Sequence, residues 1–156
     1  MKNIVLLRID ERLIHGQVMT RIVRSTHFDT IEIVDDKIAN DGFLKKITTM
    51  AIPKEFKGYV HSIDEAADYL MGEDNGEEIL VIVKTPEVAE ALLEKDVRFS
   101  TLNLGGMGAK PGRKKVLLSI SISPDEIETL KRIEKRGVEV YAQIVPGDKK
   151  YKIEDF

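Results

Sequence analysis

The sequence contains no cysteine and no tryptophan. Without cysteine there are no disulfides, no thiolate metal sites and no cysteine nucleophile. Long apolar runs are missing as well. The run Ile79-Leu80-Val81-Ile82-Val83 is far short of the roughly 20 residues that a membrane-spanning helix needs. Near the start of the chain, Ile4-Val5-Leu6-Leu7 meets Arg8 and Asp10, too short an apolar stretch for the core of a signal peptide. Nor is there an excess of either charge: 24 Lys and Arg against 27 Asp and Glu leave a formal net charge of −3. No global field draws the chain to nucleic acid or to an anionic membrane, so attraction to a partner must be local. Familiar signatures are absent too, among them G-x-x-x-x-G-K-[ST], G-x-S-x-G, H-E-x-x-H and the EF-hand spacing. The expectation is a soluble, cytoplasmic protein with no metal site.

What is present is a chain of 156 residues, 42% apolar, enough for one domain over residues 1–156 with a sizeable core. Ile4–Leu7 reads as a strand buried on both faces. From Gly16 to Ser25, Val18, Ile22 and Val23 fall on one helical stripe. Thr30–Val34 predicts a second strand. Phe43, Leu44, Ile47 and Met50 then form an apolar helical face with Asp41 as N-cap, closed by Pro53. Gly58–His61 is a weak strand, and Ser62 with Glu65 has the spacing of a capping box. Ile79–Val83 is the strongest strand. Thr85 and Pro86 start the next helix. Ser100–Leu104 runs as a strand into Gly105-Gly106-Met107-Gly108. Val116–Ile122 reads as an outer strand, Ser123-Pro124 opens a helix, and Val138–Val145 is the last strand; the tail from Gly147 carries no clear pattern. Strands alternating with helices predict an α/β fold, a three-layer, mostly parallel sheet with helices on both faces.

Chemistry concentrates in Arg8-Ile9-Asp10-Glu11-Arg12-Leu13-Ile14-His15-Gly16-Gln17-Val18, a strand-to-helix connection. An imidazole accepts a proton or a phosphoryl group, arginines hold phosphoryl oxygens, and a helix start offers N–H donors to an anion. The same residues also suit a solvated loop whose histidine merely precedes a helix. Chemistry alone leaves both readings open.

The stretch R-I-D-E-R-L-I-H-G-Q-V resembles the signature of the enzyme IIB components of the mannose/sorbose-type sugar phosphotransferase system. Supporting segments follow in order: Ile33-Val34-Asp35-Asp36 with Ala39-Asn40-Asp41, Val83-Lys84-Thr85-Pro86-Glu87, Asn103-Leu104-Gly105-Gly106-Met107, Gly137-Val138-Glu139-Val140 and Gln143-Ile144-Val145-Pro146. The resemblance implies that His15 is transiently phosphorylated at Nδ1, receiving the group from an enzyme IIA phosphohistidine. It further implies onward transfer to a sugar held by the membrane components IIC and IID, with no cofactor, and it leaves a homodimer open. Arg12 is expected to hold the phosphoryl oxygens, with Arg8 as a second cation and Asp10 orienting the ring. Backbone amides of Gly16 and Gln17, and of Gly105 and Gly106, are the expected phosphate contacts. Glu11 stands where the family commonly has Asp and is expected to be solvated; the first helix also lacks a tryptophan common there.

Other groups are read more plainly. Unaided, Gly105–Gly108 is a tight turn; Pro111 stands where a dinucleotide fingerprint wants Gly or Ala. Lys110, Arg113, Lys114 and Lys115 are either a solvated loop or a docking patch for an acidic partner. Asp35, Asp36 and Asp41 are read as structural, not as a Mg²⁺ or acid–base site, and so are His27 and His61. A His-dependent hydrolase and a non-catalytic regulatory domain of the same fold remain as alternatives.

Overall fold

In the computed structural model, which describes residues Met1 to Phe156, the apolar runs pair into one seven-stranded sheet. The strands are β1 (Asn3–Asp10), β2 (Thr30–Val34), β3 (Lys57–His61), β4 (Glu78–Val83), β5 (Thr101–Gly106), β6 (Lys114–Leu117), β7 (Ile120–Ile122), β8 (Glu139–Ala142) and β9 (Tyr151–Lys152). The helices are α1 (Gly16–Ser25), α2 (Asp36–Ala39), α3 (Gly42–Ala51), α4 (Ile63–Leu70), α5 (Pro86–Glu94) and α6 (Pro124–Lys135). The sheet order is β3-β2-β4-β1-β5-β8-β9, parallel throughout except for β8–β9 at the edge. The expected three-layer α/β architecture is the one observed.

Central strands explain the continuous apolar runs. Leu7 and Ile9 of β1 and Ile79 to Val83 of β4 are wholly buried, because each face of the sheet is covered by helices. One face packs Leu6, Ile31, Ile33, Leu80 and Ile82 against Met19 and Ile22 of α1 and Ile38 of α2. The other packs Leu7, Ile9, Val81 and Leu104 against α4, α5 and α6 through residues such as Leu70, Leu92 and Ile133. Side-chain caps fix where helices start. Asp41 accepts from Phe43 and Leu44 N–H, while Ser62–Glu65 and Ser123–Glu126 form full capping boxes.

Several elements differ from the sequence reading. Thr85 occupies the N-cap position of α5 without a side-chain bond, so Pro86 alone sets that start. Asp35 does more than end a strand: it caps the short helix α2 by accepting from Ile38 N–H, and Asp36 accepts from Ile63 N–H. Val116–Ile122 is not one outer strand. It is split by a turn at Leu118-Ser119 into β6 and β7, an antiparallel pair separate from the main sheet. The last central strand ends at Ala142; Gln143 N–H still bonds Leu104 O, and beyond it the carbonyls of Gln143 and Ile144 turn to Arg8. The tail returns as β9 and a short 3-10 turn (Ile153–Asp155), with Ile153 fully buried. On α1 the buried stripe is Met19 and Ile22, and Val23 is exposed. The apolar face of α3 is turned outward: Phe43 is 72%, Ile47 50% and Met50 74% exposed. Helical period identified that face but not the side on which the core lies.

Candidate functional site

β1 occupies the middle of the sheet, and the chain leaves it in one direction through α1 to β2 and later crosses it through α5 to β5. The carboxyl end of β1 is therefore the place where strand order reverses, the usual ligand position in an open α/β sheet. Residues 10–16 occupy that place.

The foundation of the site is internal. Arg8, 1% exposed, turns into the protein and donates to Asn103 Oδ1 at 2.5 Å, to Ile144 O at 2.7 Å and to Asp10 Oδ2 at 3.2 Å. Burial pulls its guanidinium below the ordinary arginine range, and Asp10 opposes that pull. Arg8 thus lies beneath the loop, and its link to His15 runs through the shared Asp10 Oδ2. Room for it comes from β5. The β1–β5 register shifts between Ile9 and Asp10, skipping Gly105, and a Cβ at Gly105 would collide with the Arg8 guanidinium. A Cβ at Gly106 would lie 2.8 Å from Asp10 Oδ1. The absence of side chains at these two glycines lets β5 pack closely around Arg8 and Asp10.

On this base Asp10 organises the loop. Its Oδ2 meets His15 Nε2 at 2.8 Å, and its Oδ1 accepts from Arg12 N–H at 3.0 Å. A turn closes when Leu13 N–H bonds Asp10 O at 2.9 Å, with Leu13 held at φ 58, a left-handed conformation costly for a branched side chain. His15 is extended and opens α1, but its side chain makes no cap bond there. The first amides of α1, at Gly16 and Gln17, thus have no side-chain acceptor, and Gly16 itself sits at φ +29 with open space around it. Arg12 is exposed and its side chain makes no hydrogen bond; with Asp10 and Gly106 it borders a cleft of about 310 Å³ that extends to Lys115 and Ser119.

The outer wall was not legible in the sequence. Glu11 is not a solvated side chain: its Oε1 accepts from Arg113 at 2.6 Å and its Oε2 from Gly108 N–H at 2.8 Å. Burial pushes the Glu11 carboxyl up, yet these bonds outweigh it and hold the group below its ordinary range. Arg113 is 4% exposed and also forks onto Glu126 at 2.9 and 2.7 Å. It is therefore no docking charge, although Lys114 and Lys115 beside it are exposed. His27 and His61 lie away from the site, each with a carboxylate on Nδ1: Glu78 for His27 and Glu32 for His61. No cluster of three or more His, Asp or Glu is placed to hold a metal ion.

Residues 4–156 match the family model of the PTS system sorbose subfamily IIB component. The chain belongs to that family. It is 33% identical to the mannose-specific EIIAB component of Escherichia coli strain K12 over 96% of its own length, and spans only 47% of that longer protein. It is 31% identical to the sorbose-specific EIIB component of Klebsiella pneumoniae, covering 98% of this chain and 94% of the relative. Among solved structures, manxB from Thermoanaerobacter tengcongensis superposes with a TM-score of 0.91 at 36% identity, over 99% of this chain and 94% of the other. By sequence and by fold alike it is a IIB chain of the sorbose subfamily. No helix of it is long and apolar enough to cross a membrane.

Proposed function

We propose that this IIB chain is a cytoplasmic phosphocarrier. His15 accepts a phosphoryl group from the phosphohistidine of a IIA protein and passes it to a sugar held by the membrane components IIC and IID. The observation that carries the reading is the 2.8 Å bond between His15 Nε2 and Asp10 Oδ2, with Asp10 itself fixed by Arg8 and by Arg12 N–H. An ionised carboxylate has only acceptors, so the ring proton lies on Nε2 and the nucleophilic lone pair is on Nδ1.

In the first transfer the Nδ1 lone pair attacks phosphorus. The bond from phosphorus to the donor imidazole breaks, and its electron pair returns to the donor ring. His15 now carries the phosphoryl group on Nδ1 and a proton on Nε2, and the Asp10 carboxylate balances the resulting positive ring charge. In the second transfer a sugar hydroxyl oxygen attacks phosphorus, the Nδ1–phosphorus pair returns to the ring, and the hydroxyl proton leaves to water. The proton retained on Nε2 makes the ring a better leaving group. Charge in such a transfer spreads over three phosphoryl oxygens, so positioning and cationic stabilisation dominate. The unengaged guanidinium of Arg12 and the first amides of α1, at Gly16 and Gln17, supply that stabilisation. Neither metal nor organic cofactor enters this scheme.

Incubation with phosphoenolpyruvate and the upstream carrier proteins is expected to add one acid-labile phosphate, seen by intact mass. His15→Ala abolishes the addition, whereas His27→Ala and His61→Ala keep it. Two-dimensional ¹H–¹⁵N NMR of the labelled protein then places phosphorus on Nδ1. Stable labelling of His15→Ala would overturn the assignment, and a coupling pattern at Nε2 would overturn the role of Asp10.

A further inference from the structure

We infer that the outward apolar stripe of α3, continued along the groove between α3 and α1, is the docking surface for the phosphodonor protein, and that the donor meets it with an acidic-rimmed apolar face. This rests on the phosphocarrier reading of His15. It begins from exposure that the fold does not use. Phe43, Ile47 and Met50 lie at i, i+4 and i+7, so they share one face of α3, and all three are at least half exposed. None of the ten residues of α3 is fully buried. Isolated exposed apolar residues are ordinary, but an aligned row on one helix is not.

The row does not stop at the helix end. Ala51 continues it by following Ile47 at i+4, and Ala51 and Pro53 line a groove of about 350 Å³ whose other wall is α1, with Val23, Gly16 and Ile14. Ile14 and Gly16 flank His15 in the chain, so the groove reaches the residues on either side of the reactive histidine. A protein that brings a phosphorylated imidazole into line with His15 must cover the ground beside it.

Charge identifies the occupant. Neither α1 nor α3 contains a carboxylate, while together they carry Arg21, Arg24, Lys45 and Lys46 in a chain whose formal charge is −3. Arg12, Arg24, Lys45, Lys46 and Lys54 form no ion pair with the chain's own acids. Glu55 is the one carboxylate lining the groove. Such a surface fits a partner with carboxylates around an apolar centre. A second copy of this chain fits worse, because a two-fold contact on this face sets the same lysines and arginines against each other. The Lys110–Lys115 loop is the lesser candidate, since its Arg113 is spent on Glu11 and Glu126.

The test uses the full chain with Phe43→Ser plus Met50→Ser, and separately Lys45→Glu plus Lys46→Glu. Transfer is measured from the phosphorylated cognate IIA protein over a range of donor concentrations, and in parallel from phosphoramidate, a small donor that needs no docking. For the apolar pair we expect the KM for the IIA protein to rise at least tenfold with little change in kcat, and phosphoramidate labelling to match wild type. The charge pair is expected to lower kcat/KM and flatten its salt dependence. An unchanged KM in both variants overturns the docking surface. So does a change confined to self-association in light scattering, or one confined to binding of anionic phospholipid vesicles. Failure of phosphoramidate to label wild-type His15 overturns instead the phosphocarrier reading, which keeps the two failures distinct.

Discussion

At Gly105 a missing side chain determines what a buried arginine can do. The Arg8 guanidinium fills the space where a Cβ would stand, and its bonds to Asn103, Ile144 and Asp10 depend on that position. Gly105→Ala must therefore displace Arg8 or β5. We expect it to cost about 1–3 kcal/mol in urea unfolding, as overpacking in a close-packed site does, and to slow labelling of His15 because Asp10 loses a support. Arg12 is the opposite case. Its side chain bonds nothing, so Arg12→Lys is expected to leave the unfolding midpoint within experimental error. Phosphotransfer should nevertheless fall by roughly 10- to 100-fold, because lysine keeps the charge but not the planar fork that meets two oxygens. Rapid-quench transfer rates beside a melting curve separate the two effects; a wild-type rate would remove Arg12 from the transfer.

Among the elements, the β6–β7 pair shows how a segment read as one strand becomes a wall of the site. The approach to β6 carries Arg113, which ties the reactive loop at Glu11 to the start of α6 at Glu126. Burial raises Glu126, yet Arg113 and the Ser123 cap hold it below the ordinary carboxylate range. Arg113→Met would leave Glu126 without its cation and Glu11 with only Lys110, 3.6 Å away. The expected cost is about 1–3 kcal/mol in chemical denaturation, discounted because Glu11 retains 22% exposure. Glu11→Gln with Arg113→Met should recover part of that loss, since the double change removes one stranded charge as well as the cation. Equal stability of Arg113→Met and wild type would show that the strap is decorative.

For the whole molecule, pH acts through a pair remote from the reactive ring. Glu32 is fully buried in β2, with one carboxylate oxygen lacking a partner and the other bonded to His61 Nδ1 at 2.6 Å. The bond from Glu32 raises His61 above its ordinary value, with burial opposing; burial raises Glu32, with His61 opposing. A histidine raised on folding contributes stability that is complete below about 6.5 and is lost as pH climbs through its folded value. Glu32, also raised, favours folding most when protonated, so both groups withdraw stability as pH rises. Glu77, raised by burial but held lower on balance by Lys2, Tyr69 and Thr30, contributes above about 4.5 and is lost on acidification. Stability should thus peak between these windows. In urea titrations the gap between wild type and His61→Asn is expected to narrow from about pH 6 to about pH 9. A constant gap would refute the linkage.

The sequence by itself determined the family, the α/β alternation and the reactive stretch, for physical reasons that are local. Continuous apolar runs such as Ile79–Val83 suit a strand covered on both faces, and Ser62 with Glu65 caps a helix wherever that helix packs. His15, Asp10 and Arg12 fall within six residues of chain, so their proximity was a matter of chain connectivity. What the tertiary structure alone decided was direction and long-range partnership. Helical period marked Phe43, Ile47 and Met50 as one face, but Ile38 and Ile52 on neighbouring segments fill the core and leave that face outside. Strand alternation could not show whether Arg8 met solvent or turned beneath Gly105, because that depends on a register shift between β1 and β5. Glu11 and Arg113 are 102 residues apart, and no local pattern announces a bond between charges that only the fold brings together.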